Sequence, residues 1–225
     1  MNISKTSRIP PTPLFSGMSP QETEGILSCL SAVERQYERG AVIVHAGETL
    51  HSVGLVLAGQ VEIVRDDYWG NRQVLGSAGP GDLFGESYAC MAGEPLMVTA
   101  IASEKSRVLF LDVGRILRTC SPACEYHTRL IQNLLSVLAG KNLMLTRKID
   151  HMSQRTIREK VMSYLSFEAG RQKTQKFRIP FNRQQMADYL AVDRSALSAE
   201  LSRMRREGIL EYDKNLFSIQ KEKKA

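Results

Sequence analysis

No stretch of this sequence approaches the ~18–20 consecutive apolar residues of a membrane span, and its first residues hold no continuous apolar segment of signal-peptide length. A cytoplasmic chain with no membrane partner is expected. Cysteine is scarce: Cys29, Cys90, Cys120 and Cys124 are too few and too irregularly placed for a secreted disulfide scaffold, so reduced thiols are expected. Proline is absent between Pro122 and Pro180, which leaves that stretch free to form long helices. Clustered histidine and carboxylate ligands are missing from the region that reads as β. There His45 and His51 lack the close His-x-His spacing of a cupin-type metal barrel and read as surface loop residues. No metal and no cofactor is expected.

What is present is a globular composition, 43% hydrophobic and 24% charged over 225 residues, enough for two domains of ordinary size. The charge is unevenly divided. Met1 to Gln154 carries 14 Lys and Arg against 15 Asp and Glu, a net of −1, whereas Arg155 to Ala225 carries 16 against 9, a net of +7. So basic a segment suits a polyanionic partner, because counterion release from neutralised phosphates supplies most non-specific DNA affinity. The excess also fits a solvated face plus the basic tail Lys221, Lys223 and Lys224.

Ser19-Pro20-Gln21-Glu22 combines an N-cap, a proline in the first turn and an acidic residue, and predicts a short helix to about Leu30. From Val42 to Leu111 the texture is β. Val53, Leu55 and Leu57 alternate with other residues, Val61 and Ile63 resume the pattern after Gly59, and Val98 to Ile101 with Val108 and Phe110 close it. Turns fall at Trp69-Gly70-Asn71, Gly79-Pro80-Gly81-Asp82 and Ala92-Gly93-Glu94-Pro95, a spacing that predicts a small antiparallel barrel or jelly roll.

Beyond Pro122 the period becomes helical. Ile131, Leu135, Leu138, Asn142, Leu145, Ile149 and Met152 recur at alternating four- and three-residue steps, the spacing of a coiled-coil seam with Asn142 as its single polar core position. A second copy of the chain would cover that seam. An ordinary amphipathic helix packed on its own domain fits the same spacing. Gly140 weakens either reading by about 1 kcal/mol relative to Ala.

The basic third reads as helix, strand-like link, two short helices and a hairpin. Phe177-Arg178-Ile179-Pro180-Phe181 leads to Asn182, an N-cap, then a helix from Arg183 to Leu190. Ala191-Val192 turns the chain and Asp193 caps a second helix with Leu197, Leu201 and Met204 inward. This is a helix-turn-helix arrangement, and Ile209 to Tyr212 with Leu216 to Ile219 supplies a wing. The second helix leaves Arg194, Ser195, Ser198 and Ala199 outside near its start, then Ser202, Arg203, Arg205 and Arg206. Short side chains and one arginine can reach base edges in the major groove while the later arginines meet phosphates. Arg194 suits a bidentate guanine contact or a phosphate, and Asn182 and Arg183 suit the duplex backbone.

Ala58-Gly59-Gln60-Val61, Pro80-Gly81-Asp82-Leu83-Phe84-Gly85-Glu86 and the segment from Asn182-Arg183-Gln184-Gln185-Met186-Ala187 to Leu210 together resemble the signatures of the CRP/FNR superfamily of bacterial regulators, along nearly the whole chain. The resemblance implies an α+β chain: an effector-binding, cyclic-nucleotide-binding-like β-barrel (jelly roll) over residues 1–122, a dimerisation helix over 123–154 and a winged helix-turn-helix over 155–225. It implies a homodimeric, sequence-specific transcription regulator and not an enzyme. The implied partners are a palindromic double-stranded operator, a small effector, a second copy of the chain and, as a further candidate, RNA polymerase.

In cyclic-AMP-binding relatives the Gly-Glu pair holds the ribose and an Arg-Ser pair about ten residues later clamps the phosphate. Here Gly85 and Glu86 are present, but the clamp positions fall on Leu96 and Met97. Apolar side chains cannot neutralise a buried phosphate, so cyclic AMP is not expected. A pocket of Leu96, Met97 and Val98 with Lys141, Leu145 and Thr146 would take a largely apolar effector, or be filled by its own side chains. Relatives that sense halogenated aromatics also lack the clamp. The family's usual Glu and Arg base readers fall on Ser195 and Ala199, which predicts a different operator consensus. The iron–sulfur variant's N-terminal cysteine cluster is missing, and Cys120, Cys124 and His127 fit a structural role or a metal or redox one. A small-molecule module whose winged domain contacts protein, and a cupin-type metalloenzyme, stand as alternative functions.

Overall fold

The computed structural model describes residues 9–118 and 125–220. Cys120 and Cys124 lie outside the described residues. Ser19 opens helix α1 (Pro20–Cys29) as the sequence predicts: its hydroxyl accepts the Glu22 N–H at 3.3 Å while the Glu22 carboxylate accepts the Ser19 N–H at 2.7 Å. Strands β1 (Val33–Tyr37), β2 (Val42–Val44), β3 (Ser52–Ala58), β4 (Val61–Asp66), β5 (Arg72–Ala78) and β6 (Leu83–Phe84) follow. Next come helix α2 (Glu86–Cys90), strands β7 (Thr99–Ala102) and β8 (Ser106–Asp112), and helix α3 (Val113–Leu117). The strands form two four-stranded sheets in the orders β1-β8-β3-β6 and β2-β7-β4-β5, every pairing antiparallel.

The β region begins earlier than expected. Strand β1 carries Glu34, Arg35 and Gln36, so it shows no apolar run, and it is held instead by its ladder to β8 from Val33–Phe110 to Tyr37–Ser106. The alternation expected for β3 holds, but both faces of the strand are buried. Val53, Leu55 and Leu57 enter a core with Ile26, Leu30 and Ile116, while Val56 enters a second core with Phe84, Leu96 and Val108. A strand between two layers reads as a continuous apolar run. Gly59, at φ +82°, ends β3 where any Cβ would be driven into Ser106 and the Lys105 carbonyl; the Ser106 hydroxyl in turn accepts the Gln60 N–H at 3.0 Å.

Helix α4 (Glu125–Ser153) is continuous, and the chain divides into two compact units, residues 1–140 and 141–225, inside it. That division falls after Gly140 and not at either end of the helix. The second unit continues with α5 (Ile157–Gln172), β9 (Lys176–Arg178), α6 (Arg183–Leu190), α7 (Arg194–Arg206), β10 (Leu210–Asp213) and β11 (Leu216–Ile219). Its strands form one sheet, β10-β11-β9, so the strand-like link is a full partner of the expected wing hairpin. Val161, Leu165, Phe177, Met186, Leu201 and Phe217 are among its core. Among the described residues no helix is long and apolar enough to cross a membrane.

Candidate nucleic-acid interface

Helix α6 starts where the sequence places it. The Asn182 side-chain oxygen accepts the Gln185 N–H at 2.9 Å and the Gln185 side-chain oxygen accepts the Asn182 N–H at 2.9 Å. Capping therefore occupies the acceptor of Asn182. The helix ends at Ala191, whose φ of 49° lies in the left-handed region, and Asp193 starts α7 by accepting the Ser195 and Ala196 N–H groups at 2.8 and 3.0 Å. The Ser195 hydroxyl donates to the same carboxylate. This hydroxyl, followed by the Ala196 N–H, holds the Asp193 carboxyl below the usual carboxylate range. Leu197, Leu201 and Met204 are buried, which turns the opposite side of α7 outward.

That outer side carries the expected residues with two changes. Ser198 is half-buried rather than exposed, and its hydroxyl bonds back to the Arg194 carbonyl at 2.9 Å; Ser202 does the same to Ser198 at 2.9 Å. The arginines also differ in their commitments. Arg203 pairs with Glu200 at 3.2 Å and Arg205 with Glu211 at 2.9 Å. Arg158, which sequence reasoning did not single out, reaches from α5 to Glu200 and Glu207 at 2.7 Å each, and these two carboxylates raise its pKa. Arg194 is exposed and has no carboxylate partner among the described residues. Arg183 lies 4.9 Å from the Tyr212 ring and 5.8 Å from the Phe217 ring, and burial lowers its pKa. Neither ring was predicted as functional; the signal available was an aromatic pair, Tyr212 and Phe217, on facing strands of the expected wing hairpin.

The helix residues expected at a dimer seam divide. Leu135, Leu145 and Ile149 are exposed, with Leu145 at 59% and Ile149 at 66%, and Asn142 is exposed beside them. Ile131 and Leu138 are partly buried against the core of the first unit, next to the fully buried Leu130 and Leu134. Met152 is half-buried. Leu143 and Met144 are exposed although they fall off the predicted seam. The last turn of α4 is fixed by His151, whose Nδ1 lies 2.8 Å from the Ser163 hydroxyl and whose ring packs among Tyr164, Phe167 and Tyr189.

The residues expected around an effector lie as follows. Gly85, at φ 73°, caps α2, and Glu86 is buried behind it. Leu96 is buried in the core between the sheets and Val98 packs on it, but the Met97 side chain is 70% exposed. Lys141, Leu145 and Thr146 belong to the other unit, where the Thr146 hydroxyl bonds to the Asn142 carbonyl at 3.0 Å. His45 and His51 are exposed and His127 is buried, and no group of three or more metal-ligand residues occurs among the described residues.

A β-roll, a long helix and a winged helix-turn-helix follow one another along this chain, the order of elements of a regulator of transcription. Residues 34–122 match the family model of the cyclic nucleotide-binding domain and residues 159–224 that of the Crp-like helix-turn-helix domain. The chain belongs to the CRP/FNR family of transcription regulators. It is 34% identical over 100 residues to the cyclic AMP receptor protein of Thermus thermophilus, a match spanning 44% of this chain and 45% of that protein. It is 23% identical over 192 residues to the transcriptional activator protein FnrL of Cereibacter sphaeroides, spanning 78% of this chain and 71% of that one. The fold is shared with a CooA mutant from Carboxydothermus hydrogenoformans, at a TM-score of 0.58, 19% identity and coverage of 96% of this chain and 94% of that chain. These relatives are regulators and not enzymes.

Proposed function

We propose that this chain is a sequence-specific DNA-binding transcription regulator that acts as a homodimer and answers to a small effector other than cyclic AMP. The observation that carries the reading is the outer face of α7, where Arg194, without a carboxylate partner among the described residues, stands at the leading end of a helix whose near neighbours Ser195, Ser198 and Ala199 are short. Short side chains let the helix approach base edges, and a guanidinium fork matches the two acceptors of guanine in the major groove. Asn182, Arg183 and Arg203 then serve the phosphates; Arg203 must loosen its pair with Glu200 to do so. The exposed Leu135, Leu145 and Ile149 support burial against a second copy. A two-fold dimer calls for a palindromic operator with half-sites one turn, about 34–36 Å, apart.

Leu96 carries the effector part. It is buried and apolar where cyclic-AMP-binding relatives place a phosphate clamp, and burying a phosphate against it would cost several kcal/mol. The test of the whole reading is selection of bound fragments from random duplexes by the purified chain. Enrichment of a palindrome is expected, with Arg194→Ala relaxing one base position in each half-site and costing about 1–3 kcal/mol there. Sequence-blind binding, or no binding, would overturn it. Calorimetry with cyclic AMP is expected to show no heat of binding.

A further inference from the structure

The winged hairpin holds a side chain whose surroundings exceed what packing alone needs. Tyr212, on β10, stacks on Phe217 with ring centroids 5.7 Å apart and planes 28° from parallel. Two guanidinium groups from two other elements approach its ring: Arg183, from the first turn of α6, at 4.9 Å, and Arg205, from the end of α7, at 5.5 Å. Its hydroxyl lies 3.4 Å from the Ser202 hydroxyl, on the outer side of α7. One ring thus touches the start of the first helix of the motif, the second half of the other helix and the wing.

The two arginines are not equivalent. Arg205 has its counter-charge in Glu211 at 2.9 Å. Arg183 has no carboxylate partner among the described residues. Its neighbours are the two rings and the Met186 sulfur, 4.0 Å from Nη1. A guanidinium that is partly desolvated, held against rings and given no anion keeps most of its N–H donors for an external acceptor. Lysine could not be held in this way, because it lacks the planar group that stacks.

We propose that Tyr212 is a positioning residue for DNA binding: its ring is the platform that holds the Arg183 guanidinium in place to receive a backbone phosphate. This rests on the DNA-binding reading above and names a residue that acts through Arg183 without itself touching base or phosphate. It gives the wing a task beyond its own contacts with the duplex, since the wing sets where an arginine of the neighbouring helix points.

The experiment measures the affinity of the full chain for a mixed-sequence duplex of about 30 base pairs across a salt series, because each neutralised phosphate adds ~0.9 to the slope of log affinity against log salt. Tyr212→Leu is expected to weaken binding ~3–10-fold and to lower the slope by about one, as Arg183→Ala does. The double variant Tyr212→Leu with Arg183→Ala should bind no worse than Arg183→Ala alone. Tyr212→Phe, which keeps the ring, should stay within ~2-fold of the unsubstituted chain. Arg183→Lys, which leaves both rings and every fully buried core residue in place, should resemble Tyr212→Leu and serves if that variant does not fold. Additive losses in the double variant, or an unchanged slope in Tyr212→Leu and Arg183→Lys, overturn the assignment while leaving DNA binding intact. Failure of the unsubstituted chain to bind the duplex overturns the DNA reading and this assignment together.

Discussion

The two halves of helix α4 differ in how many of their apolar residues they bury, with Leu135 already exposed in the first half. In the first half Leu130 and Leu134 are buried in the core of their own unit, with Val137 and Leu138 packed beside them. In the second half Leu143, Met144, Leu145 and Ile149 all stand in solvent. A soluble chain exposes scattered apolar residues as a matter of course, but Leu145 and Ile149, four positions apart and so neighbours on one helix face, are exposed together, and Leu143 and Met144 are exposed as well. The lesson is that periodicity reports which side chains want burial and is silent on what buries them. The predicted seam joined Ile131 and Leu138, which the first unit partly covers, to Leu145 and Ile149, which nothing in the second unit covers.

The comparison breaks most sharply at Leu134. Leu134→Ala opens a cavity in a packed core and is expected to destabilise the first unit by about 2–5 kcal/mol, read by thermal or denaturant unfolding at fixed protein concentration. Leu145→Ala, the same substitution eleven residues on, should leave unfolding of the dilute chain within about 0.5 kcal/mol. If α4 is the dimer helix, it should instead weaken self-association by ~10–100-fold in sedimentation, since each chain loses a buried leucine end. Equal unfolding effects at the two positions would erase the distinction between the halves. Asn142→Leu sharpens it further: a polar seam residue fixes register at some cost in stability, so the variant should associate more tightly and lose its strict two-chain stoichiometry.

The same contrast explains what was legible beforehand. Caps are local chemistry, so Ser19, Asn182 and Asp193 could be read from four residues each, and each holds the expected N–H groups. The buried stripe of α7 followed from its period, because its burial comes from one side only. Strand β1 was invisible because its stability lies in the ladder to β8, some seventy residues away, and an edge strand of exposed and half-buried residues leaves no apolar signature. At the DNA face the residue types were legible and their commitments only in part. The Glu200–Arg203 pair, three positions apart on one helix, follows from spacing alone, whereas only three-dimensional proximity shows that Arg158, some forty positions away, shares this carboxylate. Arg183 on Tyr212 is of the same kind, a contact between residues nearly thirty positions apart. Leu96 and Met97 are alike apolar in sequence, and only the fold shows that one is buried and the other exposed.

At its end the second half becomes buried again at His151, which supplies the smallest expected effect. His151 is buried at the end of α4, its Nδ1 beside the Ser163 hydroxyl and its Nε2 without a hydrogen-bond partner. Burial lowers its pKa below the ordinary value of about 6.5, and the attraction of Asp150 and Glu168 opposes that only in part. The folded chain therefore binds this proton less readily than the unfolded chain does. Stability from His151 is fully present above pH ~6.5 and is lost as pH falls from there toward the folded-state pKa, at no more than ~1.4 kcal/mol per pH unit. Unfolding midpoints of the chain should fall more steeply between pH 7 and pH 5 than those of His151→Phe, which fits an aromatic surround of Tyr164, Phe167 and Tyr189 and carries no proton. Parallel pH profiles for the two proteins would mean that the histidine titrates alike in both states. The end of α4 would then be as open to water as Leu145 and Ile149 are, and its anchoring on α5 would not distinguish it from the rest of that half.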